Sequence, residues 1–315
     1  MEKLVTGIHH VTALAGNAQK NLDFYTGFLG LRLIKKTVNF DANQVYHLYY
    51  GDAEGNPGSV LTFFPYDGLK MGRHGKGMLN TTTFSVPVNS IEFWENRFKQ
   101  FGINYKDPQL RFETEVVIYF EDHDGLGMEL IFNDNDKRVG YHKGPFNESN
   151  AIRGFHNVEI WHEGYEQTGG LLTEYLDHEL IAESNNRFRF AATNSSGNYI
   201  DILCEPNSLR GLAGSGTVHH LAFKTADRTS QEKIRQKIVE RGLNPTEILN
   251  RNYFTSIYFK EPGGVLFEVA TAGPGFAVDE DIDHLGEELK LPEWFEKERE
   301  TIEKALPELI INDPK

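Results

Sequence analysis

Two short segments each carry a histidine doublet, Ile8-His9-His10-Val11-Thr12 and Val218-His219-His220-Leu221-Ala222, and one late segment buries a carboxylate among apolar neighbours, Gly264-Val265-Leu266-Phe267-Glu268-Val269. Imidazoles and a carboxylate on strands point to a bound divalent metal. Two histidines and one carboxylate occupy one face of an octahedral Fe(II) or Mn(II) and leave the other face for a substrate and O2. Zn(II) is held by the same donor types, so ligand chemistry alone leaves the metal open.

A strand histidine or glutamate taken singly is ordinarily a packed or solvated side chain. Glu268 changes that weighing. Between Val265, Leu266, Phe267 and Val269, an unpaired carboxylate costs several kcal/mol, on the order of the penalty for a buried charge, and a metal ion supplies the missing partner.

The elements that must carry these residues repeat four times, each time as a strand, a helix and three strands. The first copy runs from Gly7 to Pro65, with GIHHVTAL, the amphipathic NAQKNLDFYTGFLG, then LRLIKKTVNF, QVYHLYYGD and GSVLTFF. The second begins near Met78 with TTTFSV and SIEFWENRFKQFG and closes with TEVVIYFED and GMELIF. The third opens at GFHNVEIW and closes with NYIDIL, and the fourth runs TVHHLAFK, RTSQEKIRQKIVERG and SIYFKEPGGVLFEVA. Alternating apolar side chains and Gly, Pro and Asn punctuation support the strands.

One βαβββ unit exposes its sheet edges and closes no core alone, so the units are expected to pair into cupped mixed sheets with a pocket on the concave side. The reading is an α+β chain of four βαβββ modules in two domains. Residues 1–138 form the N-terminal pair, 139–153 a polar linker, 154–272 the C-terminal pair, and 273–315 a tail with a helix that has Pro292 near its first turn. The tail is expected to pack on the body or on a partner subunit, the latter in a homo-oligomer.

Aligning the copies orders the candidate ligands. Counting from the first residue of each opening strand, the fourth place holds His10 in copy one, Asn157 in copy three and His220 in copy four, and His156 is out of phase. The closing strands match at Thr62, Glu129, Asp201 and Glu268. Only copy four offers both a histidine and a carboxylate, so the metal set is His10, His220 and Glu268, which requires the two ends of the chain to meet. Strict alternation sends His9 and His219 to the opposite face.

The charge balance, 32 Lys+Arg against 46 Asp+Glu for a net −14, makes nucleic acid an unfavourable partner. No window approaches the roughly 18 apolar residues of a membrane span. The single cysteine, Cys204, and an N-terminus without a signal-like apolar run lead us to expect a cytoplasmic protein.

GIHHVT, VYHLYYGDAEGNPGSVLTFFP, NRNYFTSIYFKEPGGVLFEVAT and LGEELKLPEWFE together resemble the vicinal-oxygen-chelate superfamily of glyoxalases, bleomycin-resistance proteins and ring-cleaving dioxygenases. The likeness is strongest to its hydroquinone-type ring-cleaving dioxygenases and spans essentially the whole chain. It implies an Fe(II)-dependent enzyme that opens a hydroquinone- or catechol-like ring with O2, in the detoxification of quinone-derived aromatics, with His10, His220 and Glu268 as ligands. The resemblance also implies that Arg251 and Tyr258 line the pocket and hold substrate or oxygen-derived atoms, and that His9 and His219 support the ligands as proton donors or acceptors. Asn157 departs from the catechol enzymes, which take their first histidine from unit three. Two alternatives stand beside this reading: a glyoxalase-type metal-dependent isomerase or lyase, and a non-catalytic binder of aromatic compounds.

Overall fold

In the computed structural model, which describes residues 3–145, 147–193 and 195–311, four βαβββ modules follow one another as the repeats predict. Module one comprises β1 (Val5–Ala15), α1 (Ala18–Leu22, continued by a π-helical turn over Asp23–Phe28), β2 (Arg32–Asn39), β3 (Ala42–Gly51) and β4 (Val60–Pro65). Module two comprises β5 (Met78–Val86), α2 (Ile91–Phe101), β6 (Gln109–Arg111), β7 (Glu115–Glu121) and β8 (Gly127–Phe132). Module three has β9 (Gly154–His162), α3 (Glu166–Tyr175), β10 (Glu179–Ser184), β11 (Arg187–Ala191) and β12 (Tyr199–Cys204). Module four has β13 (Thr217–Thr225), α4 (Arg228–Glu240), β14 (Leu249–Asn250), β15 (Thr255–Lys260) and β16 (Leu266–Thr271).

Local chemistry sets several of these boundaries. Asp227 caps α4 by accepting the Ser230 N–H at 2.8 Å, which satisfies one of the donors a helix start leaves free. At the other end of α2, Gly102 adopts φ 65° and closes the helix as a left-handed cap. The core includes the fully buried Trp94, Phe98, Phe28 and Phe120, each worth about 1.5–3 kcal/mol of burial.

The modules pair as nested shells and not in chain order. One eight-stranded sheet runs β14-β15-β16-β13-β1-β4-β3-β2 and the other β10-β11-β12-β9-β5-β8-β7-β6. Modules one and four thus share the first sheet, and two and three the second. The expected grouping of residues 1–138 against 154–272 is corrected by this order: β1 and β13 are antiparallel neighbours, as are β5 and β9. The physical reason is that each module exposes the edge of its opening strand, and that edge is closed by the opening strand of the module that meets it across a local twofold.

The two connectors between shells run side by side through bridges at Met71–Ser215, Arg73–Leu212 and Lys76–Arg210. A Cβ at Gly75 would lie 2.3 Å from the Leu209 carbonyl oxygen, so the glycine-rich run there serves close backbone approach.

The tail straps module one to module four. Lys35 of β2, wholly buried, ion-pairs with Asp279 Oδ1 at 2.6 Å and with Glu280, and Asp279 Oδ2 accepts the Tyr253 hydroxyl at 3.0 Å. Trp294 meets Phe40 edge-on at 5.5 Å. The expected tail helix begins as 3₁₀ turns over Glu293–Glu298, with Pro292 before them, and becomes α5 only at Arg299–Ala305; residues 312–315 lie outside the described residues. Lys35→Met leaves Glu280 buried without its cation. We expect a loss of about 3–5 kcal/mol, read as a lowered urea midpoint with unchanged slope.

Candidate metal centre and cavity

His10, His220 and Glu268 come together where β1, β13 and β16 lie side by side. His10 Nε2 is 3.2 Å from His220 Nε2 and 3.3 Å from Glu268 Oε2, and His220 Nε2 is 2.9 Å from the same oxygen. All three side chains are buried, Glu268 completely. Among the described residues this is the one group of His, Cys, Asp and Glu side chains whose donor atoms converge as a metal requires.

Two β-bulges make the arrangement. Opposite β13, Ile8 faces Phe223 and His10 faces Ala222, so His9 is an extra residue; Thr12 faces His220 and Ala13 faces Val218, so His219 is another. A bulge re-aims the side chain beside it, and simple alternation therefore fails at both doublets. His9 Nδ1 lies 2.9 Å from His10 Nδ1, and His219 Nδ1 lies 2.8 Å from His220 Nδ1.

These contacts set the proton on His10. The Thr271 carbonyl can only accept, so His9 Nε2 donates to it at 3.2 Å. Burial, with His10 beside it, lowers the His9 pKa to about 3, so His9 is neutral and its Nδ1 accepts from His10 Nδ1–H. In a metal-ligating His10 the lone pair would then be on Nε2, aimed at the centre, with the outer nitrogen tied down as ligating histidines require.

No lysine or arginine among the described residues pairs with Glu268. Ser256 donates to Glu268 Oε1, while Oε2 sits at ion-pair distance from the two imidazoles without a hydrogen bond of normal geometry. Burial pushes the Glu268 carboxyl up, but His10 and His220 outweigh it and hold it well below the usual carboxylate range. Glu268 Oε2 and His10 Nε2 face each other at 3.3 Å, an arrangement that a divalent ion would stabilise. The donor set fits Fe(II) or Mn(II) with three protein ligands.

The second sheet shows the contrast. Register places Thr81, Asn157 and Asp201 at the positions of His10, His220 and Glu268, with bulges at Asn80 and His156. There Arg189 binds Asp201 in two-pronged fashion, Nε to Oδ1 at 2.7 Å and Nη2 to Oδ2 at 2.9 Å, and Arg187 adds a contact at 3.1 Å. The second cup pairs its carboxylate with arginines, whereas in the first Arg251 pairs with Tyr258 and Asp41 instead.

A cavity of about 320 Å³ opens on the first centre, walled by Leu14, Phe40, Phe64, Phe254 and Leu266, with His219, Arg251, Tyr258 and His47 among its polar groups. Arg251 Nε donates to the Tyr258 hydroxyl oxygen at 3.2 Å, its guanidinium lies 5.1 Å from the Tyr258 ring centre, and Nη1 reaches the exposed Asp41 at 3.5 Å. Burial, then Glu268, raises the Tyr258 pKa, so the phenol stays protonated. His219 faces the cavity and is held to about 4 by burial and His220, whereas His9 lies behind His10 against Phe254.

Several residues here escape sequence reasoning. His47 accepts or donates at both nitrogens, to Thr62 Oγ1 at 2.9 Å and the Tyr49 hydroxyl at 2.8 Å, and burial lowers its pKa well below the ordinary histidine value. Ser256 and Phe254 sit beside the ligands. The signal that finds them is the equivalence of β3 and β15, which comes from sheet register and not from repeat spacing.

Fold and site together define a protein of two cupped sheets with one candidate metal centre among the described residues, and the sequence relationships agree. Residues 7–130 and 154–269 match the Glyoxalase/Bleomycin resistance protein/Dioxygenase superfamily, and the chain belongs to it. It is 42% identical, over 96% of its length and 99% of the relative's, to a Bacillus subtilis (strain 168) protein named "Putative ring-cleaving dioxygenase MhqE". It is 30% identical, over 98% of both chains, to the chlorohydroquinone/hydroquinone 1,2-dioxygenase of Sphingobium indicum. A solved structure of a "putative dioxygenase" from Bacillus subtilis superposes with a TM-score of 0.93 at 37% identity, covering 99% of this chain and all of that one.

Two outcomes test the centre. His220→Ala is expected to reduce bound Fe(II) from about one ion per chain to near zero by metal analysis, and retained metal at full occupancy contradicts this ligand set. For metal-free protein, His9 titrates near 3 when folded and near 6.5 when unfolded, so between these values the unfolded chain binds more protons. Its stability should therefore fall as pH drops below about 6.5, by up to about 1.4 kcal/mol per pH unit from His9, which denaturant titration at stepped pH measures.

Proposed function

We propose that this chain is an Fe(II)-dependent, ring-cleaving dioxygenase acting on hydroquinone- or catechol-like aromatics with O2, in the removal of quinone-derived compounds. The observation that carries the reading is the two-histidine, one-carboxylate set, buried with no lysine or arginine partner among the described residues and opening on a cavity of single-ring size. The names of full-length relatives, including a hydroquinone 1,2-dioxygenase, support the same chemistry. His10, His220 and Glu268 would hold the ion, with Fe(II) favoured over Mn(II) or Zn(II) because O2 must be activated. Bound there, iron would lower the pKa of a substrate hydroxyl and pass electron density from ring to O2.

The chain's own groups supply the remainder. Phe40, Phe64 and Phe254 offer flat apolar surface to an aromatic ring and exclude water. Neutral His219 faces the cavity and accepts the His220 Nδ1–H at its own Nδ1, so its Nε2–H is free to donate a hydrogen bond to a substrate oxygen. Arg251 donates to the oxygen of Tyr258, which leaves the Tyr258 O–H to be given to an anionic oxygen of the substrate. One ring C–C bond breaks and both atoms of O2 enter the product.

Protein purified anaerobically and loaded with Fe(II) is expected to consume O2 stoichiometrically with methylhydroquinone or catechol, followed at an oxygen electrode. No uptake across a panel of dihydroxybenzenes, in protein shown to hold iron, sinks the reading. Tyr258→Phe should lower kcat by roughly 10²–10³-fold, the range for losing one donor to a developing anion, with iron content unchanged.

A further inference from the structure

The two cups are tied together where the start of β1 in module one meets the start of β9 in module three, and the tie reaches the bulge that aims His10. Four backbone hydrogen bonds are exchanged there in reciprocal fashion. Ile8 N–H donates to the Gly197 carbonyl at 3.1 Å and Phe155 N–H to the Gly58 carbonyl at 2.8 Å, while Gly58 N–H donates to the His9 carbonyl and Gly197 N–H to the His156 carbonyl, each at 2.9 Å. His9 and His156 are the extra residues of their strands. Each bulge is thus held by the turn before its own module's closing strand, and that turn by the opening strand of the other module. Arg138, on the connection between β8 and β9, occupies this crossing: Nη1 donates to the Gly58 carbonyl at 3.1 Å and Nη2 to the Phe155 carbonyl. We propose that Arg138 is a positioning residue for His10, and that by forking across these two carbonyls it fixes the His9 bulge and with it the imidazole that orients the ligand. The inference rests on the metal reading above and concerns how one ligand is held from outside its own sheet.

Three observations carry it. Arg138 is itself held fast, because the buried Asp136 accepts its Nε–H on Oδ1 at 3.0 Å and its Nη2–H on Oδ2 at 2.7 Å. The backbone leaves room for the guanidinium: a Cβ at Gly154, where φ is 124°, would lie 2.7 Å from Nη1. Finally, the path from crossing to ligand is short. Gly58 N–H holds the His9 carbonyl, while the His9 ring must meet both the Thr271 carbonyl at 3.2 Å and His10 Nδ1 at 2.9 Å. Hydrogen bonds weaken steeply as their geometry is lost, so a bulge free to shift gives up one of the two ring contacts and loosens His10. A lysine at position 138 could pair with Asp136, but a point charge lacks the planar fork that spans two carbonyls and a carboxylate together.

The test is titration of the metal-free protein with Mn(II) by calorimetry, with urea unfolding measured alongside, for the unaltered chain, for Arg138→Lys, and for Arg138→Met combined with Asp136→Asn. Neither variant changes the net charge, and the second leaves no buried carboxylate without its cation, so a change in Mn(II) affinity reports geometry. The double variant is expected to bind Mn(II) about tenfold more weakly, the lower end for losing a group that orients a metal ligand, and Arg138→Lys more than about threefold more weakly. A purely structural role would lower the urea midpoint and leave the affinity of the folded protein unmoved. Affinity within about threefold of the unaltered chain in either folded variant, or failure of both to fold, overturns the proposal. Absence of Mn(II) binding by the unaltered chain is a different result, and removes the metal reading itself.

Discussion

A completely buried carboxylate with no lysine or arginine partner among the described residues dominates the energetics of the first sheet. His10 and His220 hold Glu268 ionised against the cost of its burial, and with a cation bound they would turn their lone pairs inward to it. Everything nearby serves to keep those lone pairs inward. The bulges at His9 and His219 bring a second imidazole behind each ligand, Thr271 orients His9, and Ser256 occupies the other oxygen of the carboxylate. Any one of these groups looks ordinary, and their common direction gives the site its meaning.

The second sheet is the internal control. The same register, the same paired bulges and the same inward acidic positions recur, but Arg187 and Arg189 take the places of Ser256 and Tyr258. Two scaffolds of one design therefore reach opposite solutions for a buried negative charge. One closes it with arginine side chains. The other leaves it beside two histidines that could hold an ion with it, next to a cavity lined by Arg251.

Much of this was legible in the chain. The four repeats, the polar break after module two and the equivalence of His10 with His220 follow from periodicity and turn chemistry, and the choice of Glu268 follows from its apolar neighbours. Pairing order was not legible, because a βαβββ unit specifies an exposed strand edge without specifying which of three similar edges will meet it. The demand that His10 reach Glu268 already contradicted a sequential grouping, and the nested sheets satisfy it. Alternation misplaced His9 and His219 because a bulge is a property of two strands together, invisible in either alone. His47 was missed for the same reason: its neighbours Thr62 and Tyr49 become a hydrogen-bonded chain only when β3 and β4 are in register.

Nesting has a consequence for how the protein comes into being. Modules two and three are contiguous, from Met78 to Cys204, and their sheet contains every strand it needs by that point. The first sheet must wait: β1 leaves the ribosome early, but its partner β13 and the carboxylate on β16 are among the last strands made. Until then His10 has neither of its companions, and the half-built outer sheet offers no ligand set to a passing ion. Assembly of His10, His220 and Glu268 into one group thereby waits for module four, on a frame whose other sheet is tied by arginine and carboxylate.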